Sequence, residues 1–138
     1  MDSFNEFDQI LMKLDKMSIL TSEITEKLVK IFSVERFLLA MEKITLNQIN
    51  KYVFNPSGRV LWTVKGKDHD YLIYPKRYCT CIDFNLQGIV KNHKYLCKHL
   101  IAQAIFEHLD KVNFKKGELE IKRKDEEFDV LYRSLIKN

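Results

Sequence analysis

The stretch 78-YCTCIDFNLQGIVKNHKYLCKHLI-101 holds all 3 cysteines of the 138-residue chain, Cys79, Cys81 and Cys97, with His99 following the last. The pattern is CxC, an insert of fifteen residues, then CxH. A tetrahedral zinc ion with Zn–S bonds of ~2.3 Å requires ligand atoms within about 4 Å of one another. Residues separated by one position lie on the same side of an extended chain, so Cys79 and Cys81 converge on one ion if the strand curls at its end. Inside a helix, positions i and i+2 diverge by about 200°. Cys97 is therefore expected just before a helix, with His99 in its first turn. Leu100, Ile101, Ala104, Ile105, His108 and Leu109 then supply the apolar face of that helix.

Cys79, Cys81, Cys97 and His99 together fill a tetrahedron, which is the donor set of a structural rather than a catalytic zinc ion. Such a metal contributes ~10 kcal/mol or more to folding, comparable to the stability of a whole domain. The competing explanation, three buried cysteines beside an accidental histidine, leaves unexplained why no thiol lies elsewhere. An iron–sulfur cluster with one histidine ligand stays open but has no additional spacing in its favour.

Length and composition agree with a metalloprotein of modest size. With 46% apolar residues, 138 residues suffice for one compact domain with its own core. The odd cysteine count argues against a disulfide framework and for a reducing compartment. Met1 to Asp8 is acidic rather than basic, and no apolar run approaches the ~20 residues of a membrane span, so a soluble, uncleaved chain is expected. The net charge of +4 is unevenly placed. Residues 51–100 carry 9 Lys/Arg against 3 Asp/Glu, a balance of +6, whereas residues 1–50 carry 6 against 8. The middle third is therefore where an anionic partner would bind, and Lys65, Lys67, Lys76, Arg77, Lys91, Lys94 and Lys98 are its candidate nucleic-acid contacts. Against this, Lys outnumbers Arg by 18 to 5, a ratio of surface solvation rather than of bidentate phosphate clamps.

Around the cysteine motif the chain divides into three parts. Residues 1–50 are read as an N-terminal helical region, with a helical hairpin over roughly the first 45 residues. Ser3-Phe4-Asn5-Glu6 has capping-box form, with Phe7, Ile10, Leu11, Leu14 and Met17 at helical spacing behind it. A second helical signal begins near Thr21-Ser22, and its apolar face is Ile24, Leu28, Ile31, Phe32, Phe37, Leu38 and Met41. Residues 51–112 open with alternating patterns. Asn55-Pro56-Ser57-Gly58 is a turn between Tyr52–Phe54 and Arg59–Lys65, Lys65-Gly66-Lys67-Asp68 is another, and a short antiparallel meander leads through Tyr71–Tyr74 into Cys79. Residues 113–138 are read as a charged hinge, Lys115–Lys124, followed by an amphipathic helix over Asp125–Ile136. The fold class is α+β.

Catalytic chemistry finds little support. A Cys97–His99 nucleophilic pair would be consumed by metal ligation, and no phosphate loop of the GxxxxGK[ST] form accompanies the 4 glycines. His69 reads as turn surface, His108 as a satisfied residue of the packed helix, and His93 as a possible anion contact in the insert. No catalytic acid or base is assigned, and an enzyme is not expected.

CxC, a variable insert and CxH continued as CKHLIA resemble the SWIM zinc finger family. The N-terminal helical region, the PSGR turn with its following aromatic strand, and LCKHL are also similar to the small SWIM-domain subunits of Shu-type recombination complexes and their archaeal relatives. The specific part of the likeness covers about Tyr52 to Ala102. It implies one structural Zn2+ on the four ligands and a non-catalytic accessory role in homologous recombination and DNA repair. The implied partner is a RecA-like recombinase paralogue, with support of recombinase filaments on single-stranded DNA. Implied too is an intracellular location, cytoplasmic in an archaeon and nuclear in a eukaryote. A second reading is a direct DNA-binding SWIM module of a transcription or transposition system, because fold alone does not fix function.

Overall fold

The computed structural model describes residues 3–17, 19–91, 95–113 and 120–137, with the side chains of 3–5, 17, 90 and 110–113 outside that description. The capping hydroxyl expected at Ser3 and the side chain of Met17 therefore lie outside the description, and His93 and Lys94 lie outside the described residues. Helix α1 (Ser3–Met17) buries Phe7, Ile10, Leu11 and Leu14, a 3–4 spacing that lines one face. Helix α2 (Ser22–Phe32) is capped by Thr21, whose Oγ1 accepts from the Ile24 amide at 3.2 Å, and it buries Ile24, Leu28 and Phe32.

The second helical signal is two helices rather than one arm of a hairpin. Ser33 takes φ 80°, a conformation that cannot continue α2, and its amide closes that helix on the Val29 carbonyl at 2.8 Å. The same residue starts α3 (Val34–Thr45), its Oγ accepting from the Arg36 amide at 3.3 Å. The chain turns here because one serine serves as the end of one helix and the cap of the next. Phe37 and Ala40 return α3 to the core.

Five strands follow: β1 (Ile49–Asn55), β2 (Val60–Val64), β3 (Tyr71–Tyr74), β4 (Tyr78–Cys79) and β5 (Glu120–Lys124), in the order β4-β3-β2-β1-β5. The first three make the expected three-stranded meander and β4 extends it by one strand, with Trp62 opposite both Lys51 and Ile73, and Cys79 opposite Ile73. The turn after β1 closes through the Phe54 amide on the Arg59 carbonyl at 2.8 Å, with Gly58 at φ 78°. β5 corrects the later part of the reading of Lys115–Lys124 as a hinge, residues 115–119 lying outside the described residues. Residues 120–124 pair in parallel with β1, Tyr52 opposite Ile121, and Glu120 meets Lys51 at 3.1 Å. An EIKRK edge strand lacks the apolar alternation of a central one, and charged side chains are what edge strands carry against aggregation.

Both faces of the sheet are covered. Helix α4 (Lys98–Asn113) lies on one side with α1, α2 and α3, and every residue from His99 to Phe106 is buried. Phe7, Leu28, Phe37, Trp62, Cys79, Cys97 and Ile101 belong to one continuous apolar cluster, so the N-terminal helices and the cysteine motif share a core. On the other side α5 (Phe128–Ile136), entered through a 3-10 turn at Asp125–Glu127, packs Leu135 against Phe54, Leu61 and Leu72. Asp125 anchors it, accepting from the Ser57 amide at 3.0 Å and the Ser57 hydroxyl at 2.7 Å. No helix among the described residues is long and apolar enough to cross a membrane.

Leu135 is 4% exposed and Val130, on the same helix, 73%. Leu135→Ala is expected to destabilise the protein by about 2–5 kcal/mol, and Val130→Ala by no more than about 0.5 kcal/mol. Denaturant unfolding of the two variants would contradict the packing of α5 if their midpoints coincide.

Candidate metal centre

Cys79 is the last residue of β4 and Cys81 stands just beyond it, where the chain leaves the sheet. Thr80 between them is pinned to β3, its amide donating to the Leu72 carbonyl at 3.2 Å and its Oγ1 accepting from the Leu72 amide at 3.0 Å. The knuckle is closed from the far side by Asn85, whose Nδ2 donates to the carbonyls of Cys81 at 2.7 Å and Cys79 at 3.3 Å. The Phe84 amide donates to Cys81 Sγ at 3.3 Å. Residues Phe84–Lys91, the body of the insert, form a π-helix.

The second ligand pair meets the helical constraint as expected. Cys97 precedes α4 and its carbonyl accepts the Ile101 amide at 3.0 Å, the first turn of the helix. His99 is the second residue of α4, and its Nδ1 lies 3.8 Å from Cys79 Sγ and 3.9 Å from Cys97 Sγ. All four ligand atoms lie within 4.8 Å of one another. Cys79 and Cys97 are fully buried, Cys81 and His99 3% exposed. The Tyr71 ring covers His99 with centroids 4.6 Å apart. Gly66 permits this approach, because a Cβ there would stand 2.6 Å from Tyr71 Cε2 and strike the His69 carbonyl oxygen.

Electrostatics favour a cation at the centre of the cluster. Hydrogen bonds from Cys79 and then Cys97 pull the Cys81 thiol strongly down, so it is the natural thiolate. Cys79 is pushed far up, first by donating to Cys81 and Cys97 and then by burial. Burial raises Cys97 to about 12. A divalent cation at the centre would offset the thiolate charge that this buried pocket disfavours at Cys79 and Cys97, so metal binding is coupled to release of thiol protons. Two measured S···N separations near the edge length of a zinc tetrahedron, complete burial and an S3N donor set fit one structural zinc ion.

The basic candidates are not gathered in the same way. Lys65 and Lys67 occupy the turn before β3, and Lys76 and Arg77 the turn after it, so the two pairs stand at opposite ends of that strand. Lys76 is engaged by Asp8 at 2.8 Å. Lys91 ends the π-helix of the insert, and Lys98 opens α4, near enough to Lys43 to contribute, after burial, to lowering its pKa. Lys94 and His93 lie outside the described residues. His108 is satisfied, its Nδ1 2.7 Å from Asp15 Oδ1 on α1, and His69 packs edge-on to Tyr71.

A four-ligand knuckle spanning a strand end and a helix start defines a zinc-finger protein. The family model for the SWIM zinc finger matches residues 72–103, which include all four ligands. The chain belongs to the SWIM zinc finger family. It is 30% identical over 106 residues, covering 75% of this chain and 67% of the relative, to a zinc finger SWIM domain-containing protein 7 homologue of Dictyostelium discoideum.

Two positions that support the ligand pairs are not singled out by the sequence analysis: Asn85, and Arg36, whose Nη1 donates to the carbonyl of Leu96, the residue before Cys97. Asn85 sits four residues after Cys81, inside what was read as insert. Arg36 is the single arginine of residues 1–50, and that isolation among lysines was its available mark. Cys79→Ala and His99→Ala are expected to lower bound zinc from about one equivalent to a small fraction and to cost about 3 kcal/mol or more of stability. Lys65→Ala is expected to change neither. Metal analysis with thermal unfolding checks this, and a Cys79→Ala protein of wild-type Tm would contradict a structural ion.

Proposed function

We propose that the protein is a non-catalytic zinc-binding accessory factor of homologous recombination and DNA repair that binds a RecA-like recombinase paralogue and supports recombinase filaments on single-stranded DNA. The observation that carries this reading is the closed, buried centre. Four protein ligands fill a zinc tetrahedron, which leaves the metal to hold a scaffold rather than to activate a substrate. The resemblance of the motif and its flanks to Shu-type SWIM subunits supplies the recombination context, and the Dictyostelium relative extends the likeness beyond the finger to 75% of the chain.

Large exposed apolar side chains suit a protein-binding role. Val34, Leu38 and Leu39 on α3, and Ile82, Leu86 and Ile89 on the insert, are between 36% and 78% exposed. A direct DNA-binding role is the second reading, favoured by the balance of +6 in residues 51–100. The separation of its cations at opposite ends of β3 and the engagement of Lys76 by Asp8 weigh against a single phosphate-binding stripe.

Co-purification with the RecA-like proteins of the source organism, followed by recombinase filament assembly on single-stranded DNA, tests the first reading. A stable complex and faster or more stable filaments are expected. Absence of both would overturn it. For the protein alone, oligonucleotide affinity is expected to be weak, and tight binding with a steep negative slope against log salt would favour the second reading instead.

A further inference from the structure

The two zinc knuckles are joined a second time, away from the metal. Arg36, at the start of α3, donates from Nη1 to the Leu96 carbonyl at 3.2 Å and from Nε to the Phe32 carbonyl at 3.1 Å. Its guanidinium lies over the Tyr95 ring at 4.7 Å and over Phe32 at 5.4 Å. Tyr95 in turn donates its hydroxyl to Asp83 Oδ2 at 2.6 Å. Leu96 is the residue before Cys97, and Asp83 is two residues after Cys81. The chain of contacts therefore runs from the end of α2, through Arg36, to the approach of one ligand pair and the exit of the other. It lines a cavity of about 660 Å³ between the α2–α3 junction and the finger.

We propose that Arg36, Tyr95 and Asp83 form a clamp that positions the CxC and CxH knuckles and so sets how long the zinc ion is retained. The physical basis is loop closure. The ligand pairs are separated by fifteen residues, and a contact that holds the two ends of that loop together lowers the entropy cost of keeping both pairs on one ion. The Tyr95–Asp83 bond joins the two ends of that insert. Arg36 ties the joined ends to a helix junction whose own geometry is fixed by Ser33. Planar, multidentate bonding and stacking on two rings are arginine chemistry, and lysine reproduces neither. Ser33 accepts from the Arg36 amide, so the break between α2 and α3 is also what aims the guanidinium at Leu96.

Support of a metal ligand by its outer partners is worth about 10–100-fold in affinity. Zinc-loaded full-length protein is challenged with an excess of a chromophoric chelator, well below the Tm of every variant. Tyr95→Phe, which keeps the ring under Arg36 but removes the bond to Asp83, is expected to release zinc several-fold faster than wild type. Arg36→Ala and Arg36→Lys are expected to do so about tenfold faster, at the lower end of that range. Arg36→Ala combined with Tyr95→Phe is expected to be no faster than Arg36→Ala alone, because the two act as a unit. His108→Gln cuts the contact to Asp15 between α4 and α1, outside the clamp, and serves as a destabilised control. It is expected to lower Tm while leaving the release rate near wild type. If Tyr95→Phe releases zinc at the wild-type rate, or if the clamp variants release it no faster than His108→Gln, the clamp has no positioning role.

Discussion

The structure depends on the convergence of Cys79, Cys81, Cys97 and His99 at the junction of β4 and α4. β4 is only two residues long, and by itself a strand of that length holds little. The helix it meets buries every residue from His99 to Phe106, with α1 and α3 against it and the sheet beneath. Gathering three thiols and an imidazole in a dry pocket is unfavourable for the protein alone, because hydrogen bonding to its neighbouring thiols raises Cys79 and burial raises Cys97, so both resist ionising. A structural zinc ion reverses that balance with ~10–16 kcal/mol of apparent binding free energy, set against a typical net domain stability of ~5–15 kcal/mol. The metal thus decides whether the sheet edge and the central helix are one body.

Much of this was legible in the residues. The i to i+2 divergence within a helix was enough to place Cys97 outside α4 and His99 in its first turn, and both stand there. The apolar spacing of Phe7, Ile10, Leu11 and Leu14 identified α1, and the alternation around Trp62 and Ile73 identified the meander. Two features were hidden for physical reasons. The apolar positions from Ile24 to Met41 do change phase at Ser33, Phe37 lying about 140° around a helix from Phe32, but read as one face they hide a break that resides in one backbone angle. β5 carries charges on both faces because it is a sheet edge, and charge is the composition of a linker as well.

The long-range contacts were the least visible. Arg36 and Leu96 are 60 positions apart, and Ser57 and Asp125 are 68 apart. Nothing local marks such pairs, yet they attach the finger to the N-terminal helices and α5 to the hairpin. They turn a short zinc motif into part of a layered α+β body in which helices cover both sheet faces. In that body the four ligand residues are enclosed, while Leu38 on α3 and Ile82 beside the finger stay at 58% and 78% exposure.

Hydrogen exchange of the full-length protein, recorded before and after its metal is stripped by a chelator, bears most directly on the claim that the ion holds β4 to α4. The expected result is release of about one zinc per chain, accompanied by loss of amide protection in α4 and β4. Unchanged protection in the stripped protein would contradict the account.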